Sequence, residues 1–524
     1  MCYQAVYAVQ EVLFNFPVVY ELNQNYTSST EIEVVLCINI NISKRKEKNY
    51  NLLQVRNNSK IKYKSNKYSI GSMLLQSAIG LTLLPLCFAK VTSVDTSSLG
   101  VEPHIGTKNF AGYIDVANGK NSLFYWAFES RNDPASDPVV LFLNGGPGCS
   151  SLKGAMFVQG PGIIQKDMTF TENDFSMNNN ATVIYLDEPA GTGGSTAGEE
   201  VSTLDQLSRE VVEFLEYFFE AFPKYENLPL HIAGISDAGH FVPAIAAKIL
   251  SEPKNKLHLS SISIGNGLMD SGLQYQYIRQ IFCDPADAGR QTPVLGKEAC
   301  DDLEFNMPLC VEGLDRCNHE PGYNCSDAME FCQTTAWGSY DGNLFDISRA
   351  CHNDTDDCYS QDAYYQQYMR EPEVIGYLGL KKTDFLSCNN TVENLFFASG
   401  AQASSVERNM TTILNAGISV LLYAGDKDAT YNWMGIEAVA RSLNWYGKDE
   451  YRNAPPQDWI FEGRLTGTMI RYQNLAYVRV LDAGHLVGWD NPAAASALFN
   501  AALFDDMNIQ NTSIVLSDKL GEIN

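Results

Sequence analysis

The chain has 524 residues, 45% of them hydrophobic and 19% charged, which is enough for one large domain with an insertion or for two to three smaller domains. Its formal net charge is −25 and its sequence pI is about 4.6. Because a polyanionic nucleic acid would be repelled, this charge argues against a nucleic-acid-binding protein. Such acidity suits an acidic or extracellular compartment and specifies no oligomeric state.

The N-terminal part of the chain differs in composition from the rest. Residues 1–72 contain a lysine-rich stretch with little periodicity, which indicates a disordered segment or an artefact of the gene model. Met73 then precedes an apolar run that ends at Ala89. This run is shorter than the roughly 20 residues of a membrane span, so a secretory signal peptide at 73–89 is favoured over a buried helix. The mature chain is then expected to begin near Lys90 and to contain no membrane span.

Beyond this leader, short apolar runs alternate with helical patterns. Strands are predicted at residues 138–146, 181–189, 228–235, 259–267, 417–426 and 477–485. Helical spacing of apolar residues is clearest at 203–222 and 240–250. Strands that alternate with helices imply an α/β fold, with a doubly wound, mostly parallel sheet covered on both faces.

Residues 283–390 interrupt this alternation and are rich in Cys, Asp, Asn and Tyr. We therefore expect one α/β core, made of residues 90–282 and 391–524, with a mainly helical, cross-linked cap inserted between them. No paired C-x-x-C spacing points to zinc, and no metal or organic cofactor is implied.

The cysteines and glycosylation sequons indicate an oxidising compartment. The chain has 13 cysteines, and setting aside Cys2, Cys37 and Cys87 leaves an even set of ten. A disulfide framework fits that set better than a metal site. Beyond residue 89, N-x-S/T sequons, which agree with secretion, are at Asn180, Asn324, Asn353, Asn389, Asn409 and Asn511.

Ser236 is the candidate nucleophile. It lies in Gly-Ile-Ser-Asp-Ala-Gly, between a predicted strand and a predicted helix. A sharp strand-to-helix turn of this kind exposes the hydroxyl at the carboxyl edge of the sheet, beside a helix N-terminus that favours negative charge. The motif alone is common, and a serine in a plain small-residue loop would show the same pattern.

A base and an acid are expected after Ser236, in the chain order Ser, acid, His. His485 is the single histidine after residue 352 and follows a predicted strand. The best acid is Asp428, three residues past Gly425 at the end of another strand, while Asp426 is the competitor and is expected to hold the loop. Asp428 would orient the imidazole and stabilise its cation without taking the proton.

Two backbone N–H groups from different loops are needed for an oxyanion hole. One is expected from Asp237, the residue after the nucleophile, and the other from Gly146 in the Asn-Gly-Gly-Pro-Gly loop. Each donor contributes roughly 3–4 kcal/mol to transition-state stabilisation. A plain turn would explain that loop in isolation, but four motifs in the right order at strand ends favour catalysis.

Over about residues 104–500 the chain resembles the serine carboxypeptidases, an α/β-hydrolase branch that removes C-terminal residues. The runs LFYWAFESRNDPASDPVVLFLNGGPGCSS, VIYLDEPAGTG, HIAGISDAGHFVP, VLLYAGDKDATYNWMG and VLDAGHLVGWDNP carry the resemblance. It implies an α/β-hydrolase fold, peptide or protein C-termini as substrate, and a place in the secretory pathway, extracellular or vacuolar. The implied site residues are the triad Ser236, Asp428 and His485, the oxyanion-hole amides of Gly146 and Asp237, and Asn144 and Gly145 at the substrate carboxylate. The implied disulfides are Cys149–Cys388, Cys283–Cys300, Cys310–Cys332, Cys317–Cys325 and Cys351–Cys358.

The chain departs from the family pattern close to the nucleophile. The family has a glutamate directly before the serine, where this chain has Ile235, and a second glutamate where this chain has Val158. In the family these two acids share a proton and help to hold the terminal carboxylate of the substrate. Losing both removes the polar pair altogether, so we expect weaker selection for free C-termini. Phe142 and Tyr431 also stand where the family has Trp and, in part, Cys.

Three functions are compared on this basis. The first is a serine carboxypeptidase that acts through an acyl-enzyme. The second is an esterase or acyltransferase on the same fold, which the altered carboxylate subsite makes credible. The third is a secreted binding protein without activity, against which the complete set of catalytic residue types argues.

Overall fold

The computed structural model describes residues 107–252, 254–285, 292–320, 322–351 and 358–504, together with the backbone of three short strands. These strands are β1 (Val19–Tyr20), β2 (Leu36–Cys37) and β3 (Val91–Asp95). β1 and β2 pair antiparallel. The predicted signal peptide and most of the predicted N-terminal extension lie outside the described residues.

A large sheet of eleven strands organises the rest of the chain. The remaining strands are β4 (Asn109–Val116), β5 (Asn121–Phe128), β6 (Val139–Leu143), β7 (Gly162–Ile164), β8 (Phe170–Glu172), β9 (Thr182–Leu186), β10 (Leu230–Ile235), β11 (Leu259–Gly265), β12 (Ser419–Gly425), β13 (Gln457–Phe461), β14 (Arg464–Tyr472) and β15 (Leu475–Val480). The order across the sheet is β13-β14-β15-β12-β11-β10-β6-β9-β5-β4-β3, and β7 and β8 form a separate antiparallel pair.

The six strands predicted from the sequence form the parallel centre of this sheet. β9, β6, β10, β11, β12 and β15 are parallel neighbours. β4, β5, β13 and β14 extend it antiparallel at the two sides. Every residue of β6, β9, β10 and β12 is buried, as expected for parallel strands covered on both faces. The predicted α/β class is therefore confirmed.

The described residues include fourteen α-helices, and the two predicted from helical spacing are among them. They are α1 (Leu204–Ala221), α2 (Ala238–Ser251), α3 (Ser271–Gln274), α4 (Ile278–Cys283), α5 (Lys297–His319), α6 (Cys325–Trp337), α7 (Ser360–Tyr368), α8 (Pro372–Leu378), α9 (Asn390–Ser399), α10 (Glu407–Asn415), α11 (Trp433–Ser442), α12 (Lys448–Asn453), α13 (Val487–Asp490) and α14 (Pro492–Leu503). α1 packs against α2, while α14 packs against β11 and β12. Thr203 caps α1 by accepting a hydrogen bond from the Gln206 amide.

The predicted cap is mainly helical and contains α5 to α8. Its limits at 283 and 390 remain a prediction. Four of the five implied disulfides are formed, namely Cys149–Cys388, Cys283–Cys300, Cys310–Cys332 and Cys351–Cys358.

The fifth implied disulfide, between Cys317 and Cys325, is not formed in the structure, where both residues are thiols. The Cys317 sulfur lies 3.5 Å from the Gly313 carbonyl oxygen, one helical turn back, and the Cys325 sulfur lies 3.6 Å from that of Tyr323. Burial, together with the neighbouring Cys325, raises the pKa of the Cys317 thiol to about 12. The two thiols are neighbours that also contact backbone carbonyls, and the pairing prediction differs from the structure because no S–S bond joins them.

Candidate active site

The predicted site residues lie at one edge of the sheet. Five adjacent strands, β6, β10, β11, β12 and β15, end there, because the carboxyl ends of parallel strands share an edge. Asn144 follows β6, Ser236 follows β10, Asp428 follows β12 and His485 follows β15. Open α/β sheets bind their ligands at this edge.

Ser236 sits on a tight turn between β10 and α2. Its φ is +64°, a left-handed conformation that a side-chain-bearing residue rarely adopts. The Ser236 amide donates to the Gly265 carbonyl at 3.1 Å, and its own carbonyl accepts from the Gly239 amide at 2.9 Å. A Cβ on Gly239 would come within 2.6 Å of the Leu268 backbone nitrogen, so the motif requires a glycine there. The turn therefore has the strained geometry of a nucleophile turn.

The Asn144–Gly146 loop lies directly against this turn. A Cβ on Gly145 would lie 2.3 Å from the Asp237 amide nitrogen and 2.8 Å from the Ser236 Cβ, so only glycine fits. Gly146 has a φ of +115°. The two backbone segments that were predicted to supply oxyanion donors are therefore neighbours in space.

Asp187, directly after β9, anchors the same loop. Its Oδ1 accepts from the Ser150 hydroxyl at 2.6 Å and from the Ser151 amide at 3.0 Å. Its Oδ2 accepts from the Gly194 amide at 2.8 Å. Burial raises the pKa of Asp187 to about 6, although these hydrogen bonds oppose the shift.

His485 and Asp428 form a buried hydrogen-bonded pair. The His485 Nδ1 lies 2.8 Å from the Asp428 Oδ2, and the two residues are 5% and 0% exposed. The Thr430 amide donates to Asp428 Oδ1 at 2.9 Å. Since the carboxylate can only accept, Nδ1 carries the proton and Nε2 is left as the basic nitrogen. That is the tautomer which a general base requires.

Asn266 is a residue of this site to which the sequence analysis assigned no role. It follows β11, and its Nδ2 donates to Asp428 Oδ2 at 2.8 Å while its Oδ1 accepts from the Gly425 amide at 3.1 Å. Asn266 therefore ties the acid loop to the neighbouring strand end. Its position at the end of a predicted strand, in Ile-Gly-Asn-Gly, was the one signal that could have identified it.

Residues of the predicted cap brace the acid and base loops. The His485 amide donates to the Phe345 carbonyl at 2.7 Å, and the Ala429 amide donates to the Leu344 carbonyl at 2.9 Å. The Phe345 and His485 ring centroids are 4.8 Å apart. The imidazole is thus held by contacts from both parts of the chain.

The competing acid, Asp426, has other partners. Its Oδ2 lies 3.2 Å from Lys427 Nζ and 3.2 Å from an Arg479 guanidinium nitrogen, and its Oδ1 accepts from the Asp482 amide. It holds the loops together, as expected from the sequence. Within the described residues, the Ser236 hydroxyl and His485 share no hydrogen bond, and such bonds are often long before substrate binds.

The comparisons with known proteins agree on one family. The serine carboxypeptidase family model matches residues 100–505. Carboxypeptidase Y of Candida albicans is 38% identical over 404 residues, which are 76% of this chain and 74% of that protein. The chain belongs to the serine carboxypeptidase family. The prediction of a serine-type carboxypeptidase is therefore confirmed, and the family implies peptide substrates.

Two further relatives of this serine carboxypeptidase extend the comparison. Carboxypeptidase Y of Komagataella phaffii is 36% identical over 406 residues, which are 77% of each chain. The solved structure of a prohormone-processing carboxypeptidase from Saccharomyces cerevisiae superposes with a TM-score of 0.65 at 22% identity, covering 77% of this chain and 92% of that one. At that identity the likeness bears on the fold alone, and it confirms the α/β-hydrolase class.

Val158 and Ile235, where the family pattern has glutamates, are part of one apolar cluster in this carboxypeptidase. They are 2% and 3% exposed, and the cluster also contains Phe142, Phe157 and Leu486. A carboxyl pair is absent here, and aliphatic side chains fill the space. In the described part of the chain, no group of three or more His, Cys, Asp or Glu side chains could hold a metal ion. No helix found there is long and apolar enough to span a bilayer.

Glu188, next to Asp187, gives this carboxypeptidase a pH-dependent stability. It is 1% exposed and neither carboxyl oxygen has a hydrogen-bond partner among the described residues. Burial, and then the charges of Asp187 and Glu210, raise the pKa of Glu188 well above its ordinary value of 4.5. The folded state therefore holds a proton that the unfolded state releases, so stability is full below about pH 4.5 and falls as the pH rises from there towards the folded pKa.

We expect Glu188→Gln to remove this dependence. Between pH 5 and 7 the free energy of unfolding should fall less in the variant than in the wild type, by up to about 1.4 kcal/mol per pH unit. Urea unfolding at several pH values measures the slopes. Equal slopes in the two proteins would show that Glu188 does not retain its proton on folding.

Proposed function

We propose that the protein hydrolyses C-terminal peptide bonds through an acyl-enzyme on Ser236. His485 Nε2 takes the Ser236 hydroxyl proton as the oxygen attacks the scissile carbonyl carbon, and then gives that proton to the leaving amine. A water molecule attacks the acyl-enzyme next, losing a proton to His485, and the serine leaves with that proton. Asp428 stays ionised and stabilises the imidazolium in both steps.

The observation that carries this proposal is the buried His485–Asp428 hydrogen bond of 2.8 Å, at the same edge of the sheet as the strained Ser236 turn. A buried imidazolium is costly without a counter-charge, and Asp428 supplies one. Three further donors hold the Asp428 carboxylate in place, namely Asn266 Nδ2 and the backbone amides of Thr430 and Tyr431. The pair is therefore preorganised for proton transfer.

The Asp237 and Gly146 amides are proposed as the oxyanion hole. Support comes from the close approach of the Gly145 backbone to the Asp237 nitrogen, which brings the two segments together. Asn144 and Gly145 are proposed to bind the terminal carboxylate of the substrate, with Asn144 at the end of β6 and 5% exposed. A hole made of fixed backbone donors needs little reorganisation during the reaction.

A serine-reactive phosphonate tests the proposal. Labelling of the wild-type protein, with the adduct mapped by mass spectrometry to Ser236 and lost in Ser236→Ala, is the expected result. Ser151 is the matched control and should carry no adduct. It is a buried serine whose oxygen accepts a hydrogen bond from the Asn144 amide, and among the described residues its hydroxyl has no histidine partner. No labelling of the folded wild-type protein would contradict the proposal and favour a binding protein without activity.

The aliphatic pair Val158 and Ile235 favours a second candidate, an esterase or acyltransferase with the same covalent step. Without a carboxyl pair, the site should bind a substrate with a free C-terminus with less preference over the matching amide or ester. We expect the wild-type ratio of kcat/KM for a blocked dipeptide over its matched amide to rise at least about 10-fold in the double variant Val158→Glu/Ile235→Glu. The double variant should raise this ratio more than either single variant, because a single buried carboxyl group lacks its hydrogen-bond partner.

Turnover of matched acids, amides and esters by the four proteins measures this effect. A strong wild-type preference for the free acid would contradict the expectation. Faster turnover of esters than of peptides by orders of magnitude would favour the second candidate.

We propose that the protein acts in the secretory pathway, outside the cell or in the vacuole. Four disulfides and the sequons support an oxidising compartment. N-terminal sequencing of protein purified from the producing cells should place its first residue near Lys90. A first residue at Met1 would contradict both the signal peptide and the proposed leader.

A further inference from the structure

The side chain of Asp237, directly after the nucleophile, has no part in the mechanism above. It is 0% exposed, and its own amide is a proposed oxyanion donor. A negative carboxylate beside a hole that must hold a developing oxyanion opposes the reaction, most strongly where water is excluded. The charge of Asp237 therefore needs compensation.

Two side chains contact the Asp237 carboxylate. Gln402 Nε2 donates to Oδ2 at 2.7 Å, and His240 Nδ1 lies 3.5 Å from Oδ1. In the part of the chain that the structure describes, neither Oδ1 nor His240 Nδ1 has a hydrogen-bond partner. Gln402 is neutral, so of these two contacts His240 alone can carry a positive charge.

The contact of the second ring nitrogen of His240 determines how many protons the imidazole and the Asp237 carboxylate must share. Its Nε2 lies 2.9 Å from the Ser404 carbonyl oxygen. A carbonyl oxygen only accepts, so Nε2 carries a hydrogen. A bare Nδ1 would then direct its lone pair at the Asp237 carboxylate, which is repulsive. One proton between Nδ1 and Oδ1 removes the repulsion and leaves the pair without net charge.

Among the described residues, three further ionisable groups have pKa values shifted by the charge of Asp237, and none of the three can carry a positive charge. Burial, followed by the charge of Asp237, raises the pKa of the Glu393 carboxyl. The same two effects, in the same order, raise the pKa of the Tyr275 and Tyr431 phenols, which therefore stay neutral. Compensation of Asp237 thus falls to His240.

We propose that His240 is a positioning residue for catalysis, which acts through Asp237 by neutralising its carboxylate so that the adjoining oxyanion hole accepts negative charge. This inference rests on the proposed function, because the hole is part of it. His240 lies in the first turn of α2, four residues after Ser236. No hydrogen bond links it to Ser236 or His485 among the described residues, and its proposed effect is electrostatic.

A double-mutant cycle over Asp237→Asn and His240→Gln tests the inference. Glutamine retains a donor that can reach the Ser404 carbonyl, and it removes the cation that faces Asp237. We expect His240→Gln to lower kcat/KM at least about 10-fold in the wild-type background, mainly through kcat, since the oxyanion exists only in the transition state. In the Asp237→Asn background the same change should cost less than about 3-fold, because no carboxylate is left uncompensated.

His231 is the matched control. It is a buried histidine on β10 whose Nδ1 lies 2.6 Å from the Ser261 hydroxyl, and burial lowers its pKa to about 4, so it is neutral. His231→Gln should have the same effect in both backgrounds. Equal losses for His240→Gln in both backgrounds would overturn the inference.

Thermal unfolding of the same proteins tests the inference where a variant does not fold or has no activity. If His240→Gln does not fold but the double variant does, the uncompensated carboxylate is the cause and the inference is supported. If both fail alike, it is overturned. A folded wild-type protein that hydrolyses neither peptides nor nitrophenyl esters would instead refute the proposed function. The unfolding comparison would still show whether His240 neutralises the Asp237 carboxylate.

Discussion

Asp428→Asn is expected to lower kcat/KM by about 10³–10⁴-fold. The carboxylate accepts hydrogen bonds from His485 Nδ1, Asn266 Nδ2 and the Thr430 amide. An asparagine NH₂ group must face at least one of these donors, in whichever way the amide is turned. The variant also loses the negative charge that stabilises the imidazolium. Steady-state turnover of a blocked dipeptide measures the loss.

Asp426→Asn is the matched control for this prediction. Asp426 lies two residues away on the same loop and pairs with Lys427 and Arg479. We expect the Asp426→Asn variant to be less stable than the wild type and to lose less than about 10-fold in kcat/KM. Similar losses in the two variants would mean that the loop, rather than the Asp428 charge, determines activity.

Gly145→Ala is expected to lower kcat/KM by about 10²–10³-fold, the loss typical of removing one oxyanion donor. The new Cβ would lie 2.3 Å from the Asp237 amide nitrogen, well inside van der Waals contact, and 2.8 Å from the Ser236 Cβ. Both contacts are with the nucleophile turn, so either that turn or the glycine loop must move. Active-site labelling by the phosphonate should slow in parallel with turnover.

Gly376→Ala is a suitable control, because a Cβ there would meet nothing within 4 Å. We expect the Gly376→Ala variant to turn over substrate at the wild-type rate. Wild-type turnover from Gly145→Ala would show that the loop and the nucleophile turn do not form the oxyanion hole together.

The parallel centre of the sheet could be predicted because its strands are buried on both faces. β6 is an unbroken apolar run followed by Asn-Gly-Gly, and β12 is an apolar run after Ser419 that ends at Gly425, so each pattern marks both the strand and its end. The antiparallel strands could not be recognised in the same way. β14 has exposed, intermediate and buried residues in irregular order, and β5 carries two polar residues at its start.

The residues proposed to perform the chemistry carry clearer sequence signals than those that support them. Ser236, Asp428 and His485 each follow a strand and have a side chain suited to one role. Asn266 and Gln402 act through contacts across 162 and 165 residues of chain, and the sequence does not show which distant carboxylate such an amide contacts. The Cys317–Cys325 pairing, inferred from the family, depends on side-chain directions that sequence does not contain.

The order in which the sheet collects its strands has a consequence for biosynthesis. The imidazole follows β15, which enters the sheet beside β12 and is the last of the described strands in chain order. A nascent chain that already carries the folded serine turn still lacks the proposed base, and the predicted cap contributes its bracing carbonyl at Phe345 only once His485 has been synthesised. On the proposed mechanism, the serine therefore stays inactive until β15 has been synthesised and has joined the sheet.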